Sequence, residues 1–215
     1  MPAHNSVAVP RIVLIRHGET DWSKSARHTS YTDRPLTAVG RTQARAAGRM
    51  IRALLDGRRP SHIVSSPRQR ARQTARLAGF EPDAITERAA EWNYGDLEGK
   101  TTAEIQQSNR DWSIWSGPVP GGEDADQIST RLDALLDELR PLADAGPVLV
   151  FTHGHAGRCL AARWLAEPVS AGRHYFLSTG SVSALGFEHA RPVLLNWNLD
   201  PALYSNQGGT DDPGQ

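Results

Sequence analysis

Short β-branched segments alternate with longer amphipathic segments along this chain, and this alternation restricts its fold more than any other feature. We predict buried strands over residues 9–15, 62–66 and 147–152, separated and followed by helix-patterned segments of about ten or more residues. Because such helices return the chain to start the next strand in the same direction, the pattern predicts an α/β fold, a three-layer α/β/α sandwich with a mainly parallel sheet. Two closing strands, 182–187 and 193–197, are expected to pair antiparallel.

Local signals mark where several helices begin. Thr37 is a candidate N-cap for a long helix that Gly57 ends. Thr101 and Glu104 match the capping box that opens a helix. Pro67 is expected in the first turn of the helix after the second strand, where the missing N–H of proline costs nothing.

Length and charge suggest one domain with an uneven surface. The 215 residues are expected to form a single domain over 1–215, with its core at about 11–198 and flexible ends at 1–8 and 204–215. The 24 basic and 24 acidic side chains cancel, yet residues 1–80 hold 15 basic and only 4 acidic ones. This asymmetry fits a nucleic-acid-binding front half, an acidic tail, or an anion pocket built from front-half arginines.

The cysteine and apolar content point to a cytoplasmic protein. Cys159 is the only cysteine, so an intrachain disulfide is excluded. The longest strongly apolar runs, such as residues 147–151, are far shorter than a membrane span. Residues 1–7 lack the pattern of a signal peptide, so we expect neither secretion nor membrane attachment.

Basic side chains and glycines follow the three predicted strands, at the ends where α/β sheets bind ligands. His17 and His153 each precede a glycine, and Arg16 and Arg70 accompany them. The glycines are expected to let the backbone approach a ligand closely, and the helix beginning near Gly154 directs its free N–H groups to the same place. These groups predict a site for a tetrahedral anion, most simply a phosphoryl group.

A phosphoryl site with a histidine indicates a specific chemistry. A neutral imidazole can act as the nucleophile, dividing hydrolysis into transfer to nitrogen and transfer to water, with no metal or other cofactor. Guanidinium groups hold the developing charge. The leaving oxygen needs a proton donor, and Glu91, beside Trp92 and Tyr94, is the best carboxyl candidate.

Four motifs resemble those of the histidine phosphatase superfamily, the phosphoglycerate-mutase-like fold. They are Arg16-His17-Gly18-Glu19-Thr20, Ser65-Ser66-Pro67 with Arg70-Ala71-Arg72-Gln73-Thr74-Ala75, Glu91 with Tyr94-Gly95 and Glu98-Gly99, and Thr152-His153-Gly154. The resemblance covers about residues 11–198. It implies that His17 carries the phosphoryl group, that Arg16, Arg70 and His153 surround it, and that Glu91 is the proton donor and later the base for water.

Other substrate contacts are also implied by the resemblance. Thr20, Tyr94 and the N–H of Gly154 would contact the substrate, with Thr29 and Ser30 beside its non-reacting end. Their selectivity would be shared with Trp92 and the connection over residues 112–123, which is expected either to pack in the core or to overhang the site.

Residues 22–25, with residues 32–37, resemble the acid phosphatase and sugar-bisphosphatase branch of the family, and two departures within residues 91–153 favour a phosphatase over a mutase. Ser23 stands where many members have an asparagine after tryptophan, and it would reach the phosphate less far. Cofactor-dependent mutases carry Arg-His-Tyr after the glutamate, where this chain has Trp92-Asn93-Tyr94, and their segment equivalent to 91–153 is longer. We therefore expect hydrolysis of a small phosphorylated metabolite.

Several alternatives stay open at this stage. They include a phosphoglycerate mutase, a catalytically idle phosphate-binding module, a metal pair at His153 and His155, and nucleic-acid binding by the arginines at 68–76, although no interleaved aromatics support the last. We expect no nucleic-acid partner, and a homo-oligomer remains open. Five further histidines are interpreted as ordinary surface or core residues: His4, His28, His62, His174 and His189.

Overall fold

A six-stranded sheet forms the centre of the computed structural model, which describes residues 9–204. Its strands lie in the order β3-β2-β4-β1-β5-β6. They are β1 (Ile12–Arg16), β2 (His62–Ser65), β3 (Ala84–Ile85), β4 (Val148–Thr152), β5 (Val182–Glu188) and β6 (Arg191–Leu199). The helices are α1 (Asp21–Lys24), α2 (Ala38–Leu55), α3 (Gln69–Leu77), α4 (Thr102–Gln106), α5 (Ala125–Ala145), α6 (Gly154–Trp164) and α7 (Pro201–Tyr204).

The first four strands of the chain run in one direction. Strand β4 pairs in parallel with both β1 and β2, and β2 pairs in parallel with β3. Strand β5 pairs antiparallel with β1 and with β6. The predicted mainly parallel sheet with an antiparallel closing pair is confirmed.

Helices cover both faces of the sheet. Ile12 and Leu14 of β1 are buried in one apolar cluster with α5 and α6, whereas Val13 and Ile15 are buried in a second cluster with α2 and α3. Because successive side chains of a strand point to opposite faces, this partition defines three layers. The predicted α/β/α sandwich is confirmed.

Two predicted helix starts are confirmed and one is wrong. The Thr37 side chain accepts from the Gly40 N–H, and Thr101 and Glu104 form a reciprocal capping box. Helix α3, however, begins at Gln69, so Pro67 precedes it. The Gln69 N–H donates to the Asp33 carboxylate (2.7 Å), which supplies from a distant loop the cap that the local sequence lacks.

The strand boundaries differ from prediction in places with a physical cause. Strand β1 begins at Ile12, after Pro10, which has no N–H to pair. The turn between β5 and β6 contains only His189 and Ala190, both with positive φ (45° and 64°), a conformation suited to two-residue hairpins. Strand β6 therefore starts earlier than predicted and includes Pro192, which the edge of the sheet tolerates.

Two short elements, strand β3 and helix α7, were not predicted from the sequence. The two-residue strand β3 was not predicted, because so short a segment has no periodicity. Tyr204, placed by prediction in a flexible tail, ends α7, while residues 1–8 and 205–215 lie outside the described residues. Among residues 9–204, no helix is long and apolar enough to cross a membrane.

Candidate active site

The carboxyl ends of β1, β4 and β2 lie side by side, because β4 occupies the position between the other two strands. His17 follows β1, His153 follows β4 and Ser66 follows β2, so the sheet order brings them together. The rings of His17 and His153 are 5.1 Å apart between centroids. Above this edge is a cavity of about 490 Å³, the main cavity, and eight of the predicted site residues line it: Arg16, His17, Thr20, Ser23, Thr29, Glu91, Tyr94 and Gly154.

The His17 ring is held in one tautomer by its own backbone. Its Nδ1 lies 2.8 Å from the carbonyl oxygen of Gly18, which can only accept a hydrogen bond. Nδ1 therefore carries the proton, and in the neutral ring Nε2 keeps its lone pair. Burial and the neighbouring Arg70 and Arg16 guanidinium groups hold the pKa of His17 well below its usual range, so the neutral form persists.

Gly18 is required by a close approach of two chain segments. A Cβ at this position would lie 2.3 Å from the carbonyl oxygen of Gly40 in α2, and a Cβ on Gly40 would lie 2.1 Å from the Glu19 carbonyl oxygen. The sequence-based expectation that this glycine admits a ligand is therefore corrected: it admits helix α2.

His153 lies fully buried behind His17 and does not line the main cavity. Its Nδ1 accepts from Nε of Arg70 (3.2 Å), because a guanidinium can only donate. Its Nε2 then carries the proton and donates to Ser66 Oγ (2.7 Å). Burial and Arg70 lower the pKa of His153 well below its usual range, so the ring is a neutral support that orients Arg70 and contacts His17.

Arg70, on the first turn of α3, is completely buried. Besides the bond to His153, its Nη atoms donate to the backbone carbonyls of Thr32 (3.1 Å), Thr29 (3.0 Å) and Ser30 (3.1 Å). These four bonds leave one of five N–H groups, on Nη1, without a partner among the described residues. Arg70 therefore supplies positive charge behind His17 and ties the 29–32 segment to the site. With one free N–H it cannot donate a bidentate pair of hydrogen bonds to a phosphate.

Arg16 has more donors to offer. One Nη1 bond reaches the Leu177 carbonyl, while its buried Nε has no partner within residues 9–204. The guanidinium lies against Gly154, where an added Cβ would meet Cζ at 3.3 Å. The Gly154 N–H, the first of α6, also has no partner recorded in the described part of the chain. Unpaired N–H groups from a guanidinium and a helix N-terminus form a binding place for an anion.

Glu91 is fixed at the same helix N-terminus. Its Oε1 accepts from the N–H groups of Ala156 (2.7 Å) and Trp92 (2.9 Å), and its Oε2 accepts from the His155 N–H (3.1 Å). Three backbone donors orient the carboxylate at the wall of the main cavity that contains Arg16 and His17. A carboxyl group is thus held beside the predicted nucleophile, where it can exchange a proton with a bound ligand.

Comparisons with known proteins agree with this geometry. The family model of the histidine phosphatase superfamily (branch 1) matches residues 12–200. The chain is 39% identical over 180 residues to the acid phosphatase of Mycobacterium tuberculosis, covering 83% of this chain and 87% of that protein. It is 36% identical over 183 residues to the sedoheptulose 1,7-bisphosphatase of Saccharomyces cerevisiae, covering 72% and 67%. The solved structure of the open reading frame Rv3214 from Mycobacterium tuberculosis has a TM-score of 0.85 at 37% identity, over 88% of this chain and 97% of that one.

The chain belongs to the histidine phosphatase superfamily. The resemblance drawn from its four motifs is thereby confirmed, as is the phosphoglycerate-mutase-like fold.

In this histidine phosphatase, Thr20 and Ser23 differ in what they can donate. They form a capping box at α1, in which the Ser23 N–H donates to Thr20 Oγ1 (3.1 Å) and the Thr20 N–H to Ser23 Oγ (2.9 Å). The Ser23 O–H donates to the Thr20 carbonyl (3.0 Å), so its only proton is engaged. No described acceptor takes the Thr20 O–H, which therefore fits an anion better than Ser23 does.

The structure does not bring Ser30 and Trp92 to the main cavity. Ser30 is buried, and its hydroxyl donates to the Glu98 carboxylate (2.6 Å). Trp92 is 1% exposed, and its indole N–H donates to the Glu123 carbonyl (2.9 Å). These two side chains, predicted to contact the substrate, are instead occupied by core packing and by hydrogen bonds to other residues. Thr29 does line the cavity, with its hydroxyl donating to the Arg27 carbonyl (2.8 Å).

Sequence patterns missed a second group of lining residues in this histidine phosphatase. They are Ala26, Arg27, His28, Thr102, His155, Arg158, Phe176, Leu177, Ser178 and Thr179. His28, expected to be an ordinary histidine, is buried against Tyr94 and Trp112, with ring centroids 4.7 and 5.4 Å away. Arg158 had a usable signal, since it lies one helical turn after Gly154 on α6. Residues 176–179 had none, because they lie in an irregular segment.

Trp112 and Trp115 support the site from behind. Trp112 is buried beside His28, and Trp115 lies beside His155 (5.2 Å between centroids), yet neither lines the main cavity. The connection over 112–123 thus packs behind the site, and does not overhang it. A metal pair at His153 and His155 is disfavoured, because both ring nitrogens of His153 are engaged, and residues 9–204 contain no cluster of three or more potential metal ligands.

Acid is expected to destabilise this fold. Burial is the largest cause that lowers the pKa of His17, His153 and His155, and it lowers that of His28 to about 4. As pH falls below about 6.5 the unfolded chain takes up protons at these positions and the folded chain does not, so stability falls. Each histidine contributes up to about 1.4 kcal/mol per pH unit.

Urea unfolding at pH 7, 6 and 5 measures this slope. His28→Asn should make it shallower, whereas His189→Asn, at an exposed turn position, should not change it. A free energy of unfolding that stays constant from pH 7 to pH 5 would contradict the assignment of neutral buried rings.

Proposed function

We propose that this histidine phosphatase hydrolyses small-molecule phosphomonoesters through a phosphoryl group carried on Nε2 of His17. The observation that supports this most directly is the bond between His17 Nδ1 and the Gly18 carbonyl, which leaves Nε2 as a neutral nucleophile at the floor of the main cavity. Relatives named as an acid phosphatase and a sugar bisphosphatase support the same reaction class.

The proposed reaction has two displacements. In the first, the Nε2 lone pair forms a bond to phosphorus, the ester P–O bond breaks, and Glu91 gives its proton to the departing alkoxide oxygen. In the second, a water oxygen attacks phosphorus, Glu91 takes a proton from that water, and the P–N bond breaks to release inorganic phosphate and neutral His17. Arg16, the Gly154 N–H and the Thr20 hydroxyl hold the non-bridging oxygens, and Arg70 adds positive charge from behind.

A panel of sugar phosphates, bisphosphates and phosphoglycerates tests the function. We expect inorganic phosphate release from at least some of these esters without any primer. If none of the esters is hydrolysed and no phosphate is transferred to the protein, the result would instead indicate an idle binding module. Isomerisation of phosphoglycerate primed by a bisphosphoglycerate, at a rate above hydrolysis, would indicate a mutase.

Chelation is expected to leave the activity unchanged. Guanidinium and backbone N–H groups hold the charge in the proposed mechanism, so no divalent ion is needed. Phosphate release measured before and after dialysis against excess EDTA should agree within error. A loss of activity that added Mg²⁺ or Zn²⁺ restores would remove the metal-independent part of the proposal.

Glu91→Gln tests the proton donor. An alkyl phosphate needs a proton on its leaving oxygen, whereas p-nitrophenolate leaves readily without one, so we expect a loss of about 10²- to 10⁴-fold for the alkyl ester and a much smaller loss for the aryl ester. The comparison is of kcat/KM for both esters in the same preparation. Equal slowing of the two would assign Glu91 to holding α6 in place, without an acid role.

A further inference from the structure

Tyr94, which is buried, and His155, which is half-buried, form a pair at the wall of the main cavity. The Tyr94 hydroxyl oxygen lies 2.6 Å from His155 Nδ1, and this is its one recorded partner among the described residues. Burial raises the pKa of Tyr94 well above its usual range, so the phenol keeps its proton. Because no other described group accepts the Tyr94 O–H, we infer that it donates to Nδ1 and that the neutral His155 ring carries its proton on Nε2.

The His155 ring is held in a fixed orientation. Trp115 and Tyr94 lie edge-on to it, at 5.2 and 5.8 Å between centroids, and His28 lies at 5.8 Å. Burial and the nearby Arg158 lower the pKa of His155 well below its usual range, so the ring stays neutral. No hydrogen bond to its Nε2 is recorded within residues 9–204.

This donor lies next to the proton donor of the proposed reaction. The backbone N–H of His155 donates to Glu91 Oε2 (3.1 Å), and both residues line the main cavity. A leaving alcohol that takes the proton of Glu91 therefore occupies the cavity that His155 also lines. Further hydroxyl oxygens on that alcohol can accept from Nε2–H, whereas a plain alkyl chain leaves this donor unpaired.

We propose that His155 determines specificity by donating from Nε2–H to a hydroxyl oxygen on the alcohol part of the substrate, which selects phosphate esters of polyols and sugars over those of simple alcohols. The proposal rests on the proposed phosphatase function and adds a substrate class to it. Because the donor is neutral, it can bind an uncharged hydroxyl group, and the substrate needs no second phosphate group to be recognised. A substrate that accepts a hydrogen bond from Nε2–H is expected to have a kcat/KM about 5- to 10-fold higher than one that leaves this donor unpaired.

Two matched esters measure the discrimination. Glycerol 1-phosphate and n-propyl phosphate share a three-carbon chain and differ in two hydroxyl groups. We expect the wild-type protein to prefer the glycerol ester by about 5- to 10-fold in kcat/KM. Equal kcat/KM values for the two esters in the wild type would overturn the proposal.

Two amide substitutions separate the two nitrogens of the ring. Asparagine in His155→Asn retains an acceptor near the Nδ1 position for Tyr94 but no donor near Nε2, so the preference for the glycerol ester should fall to about one. Glutamine in His155→Gln extends a donor toward the Nε2 position and should restore part of the preference. The control is His189→Asn, which should keep the wild-type ratio. Residue 189 is exposed, and asparagine suits its positive φ of 45°.

The tautomer has a signature that does not depend on catalysis. In ¹⁵N-histidine-labelled protein without substrate, the signals lost in His155→Asn should be those of a neutral Nε2–H ring, and Tyr94→Phe should shift them. A protonated Nδ1 in the wild type would overturn the proposal. So would a His155→Asn variant that slows both esters equally. If the wild type hydrolyses neither ester nor any of the panel, the proposed function fails, and the tautomer measurement still reports separately on the Tyr94–His155 pair.

Discussion

His17→Asn is expected to lower kcat/KM for every phosphomonoester by at least about 10³-fold, because it removes the proposed nucleophile and not merely a binding contact. Asparagine is the sharpest replacement here. Its amide can still donate to the Gly18 carbonyl, as His17 Nδ1 does, but it places no basic nitrogen where Nε2 lies. The measurement is steady-state phosphate release on several esters, together with a search for acid-labile, base-stable phosphate on the protein after rapid mixing.

The control for this prediction separates chemistry from folding. His189→Asn makes the same chemical change at an exposed turn and should keep wild-type activity. The unfolding midpoint of His17→Asn at pH 7 should stay near that of the wild type, since the amide keeps a hydrogen bond to the Gly18 carbonyl. Retention of most activity in His17→Asn, or phosphate that is stable in acid, would assign the covalent step to another group.

Arg70→Met is expected to produce the largest loss of stability, about 3–5 kcal/mol in the free energy of unfolding, and to lower kcat/KM about 10²-fold or more. The reason is geometric. Without the guanidinium, the buried carbonyl of Ser30, the partly buried carbonyls of Thr29 and Thr32, and His153 Nδ1 lose their donors at once. The 29–32 segment is then released from α3, and the positive charge behind His17 disappears. Urea unfolding and steady-state kinetics measure the two effects.

Two further variants interpret that result. Arg70→Lys keeps the charge but cannot reproduce four bonds from one ammonium group, so we expect partial recovery of activity and less of stability. Arg76→Met changes an exposed arginine on the same helix, whose ion pair with Glu81 is also exposed, and should cost less than about 0.5 kcal/mol. If Arg70→Met and Arg76→Met prove equally stable, Arg70 does not tie the two segments together.

Residues in regular elements could be placed from the sequence because periodicity and sheet rules act locally. His17 and His153 follow predicted strands, and parallel strands end at one edge, so their meeting followed from the pattern. Glu91 was different, since it lies in an irregular segment and was identified through its motif. Its contact with the α6 N-terminus, over 60 residues away in the chain, has no local signal.

The remaining differences arise from hydrogen-bond partners that a linear sequence does not display. Arg70 was expected to be one of the groups around the phosphoryl group, and backbone carbonyls of the 29–32 segment occupy most of its donors. Ser30 was expected beside the substrate, but Glu98 binds its hydroxyl. His28 was expected to be ordinary, yet aromatic packing from two distant segments places it in the cavity wall. In each case the hydrogen-bond or packing partner comes from a distant part of the chain.

The excess of basic side chains in the first 80 residues is only partly explained by the site. Of the basic side chains in residues 1–80, Arg16 and Arg27 line the main cavity and Arg70 lies buried behind His17, while those of α2 are largely exposed. Only a few of the front-half arginines therefore lie at the site. The back half supplies the carboxylate of Glu91 and the N-terminus of α6 that complete it.

One end of α6 serves two anionic partners, the fixed carboxylate of Glu91 and, in the proposed reaction, the phosphoryl oxygens at the Gly154 N–H. A helix terminus carries only about half a positive charge, so two full negative charges compete for it. In the proposed reaction the carboxylate and the phosphoryl group therefore share one limited source of positive charge. The Arg16 guanidinium, which lies against Gly154, supplies the positive charge that the helix end lacks.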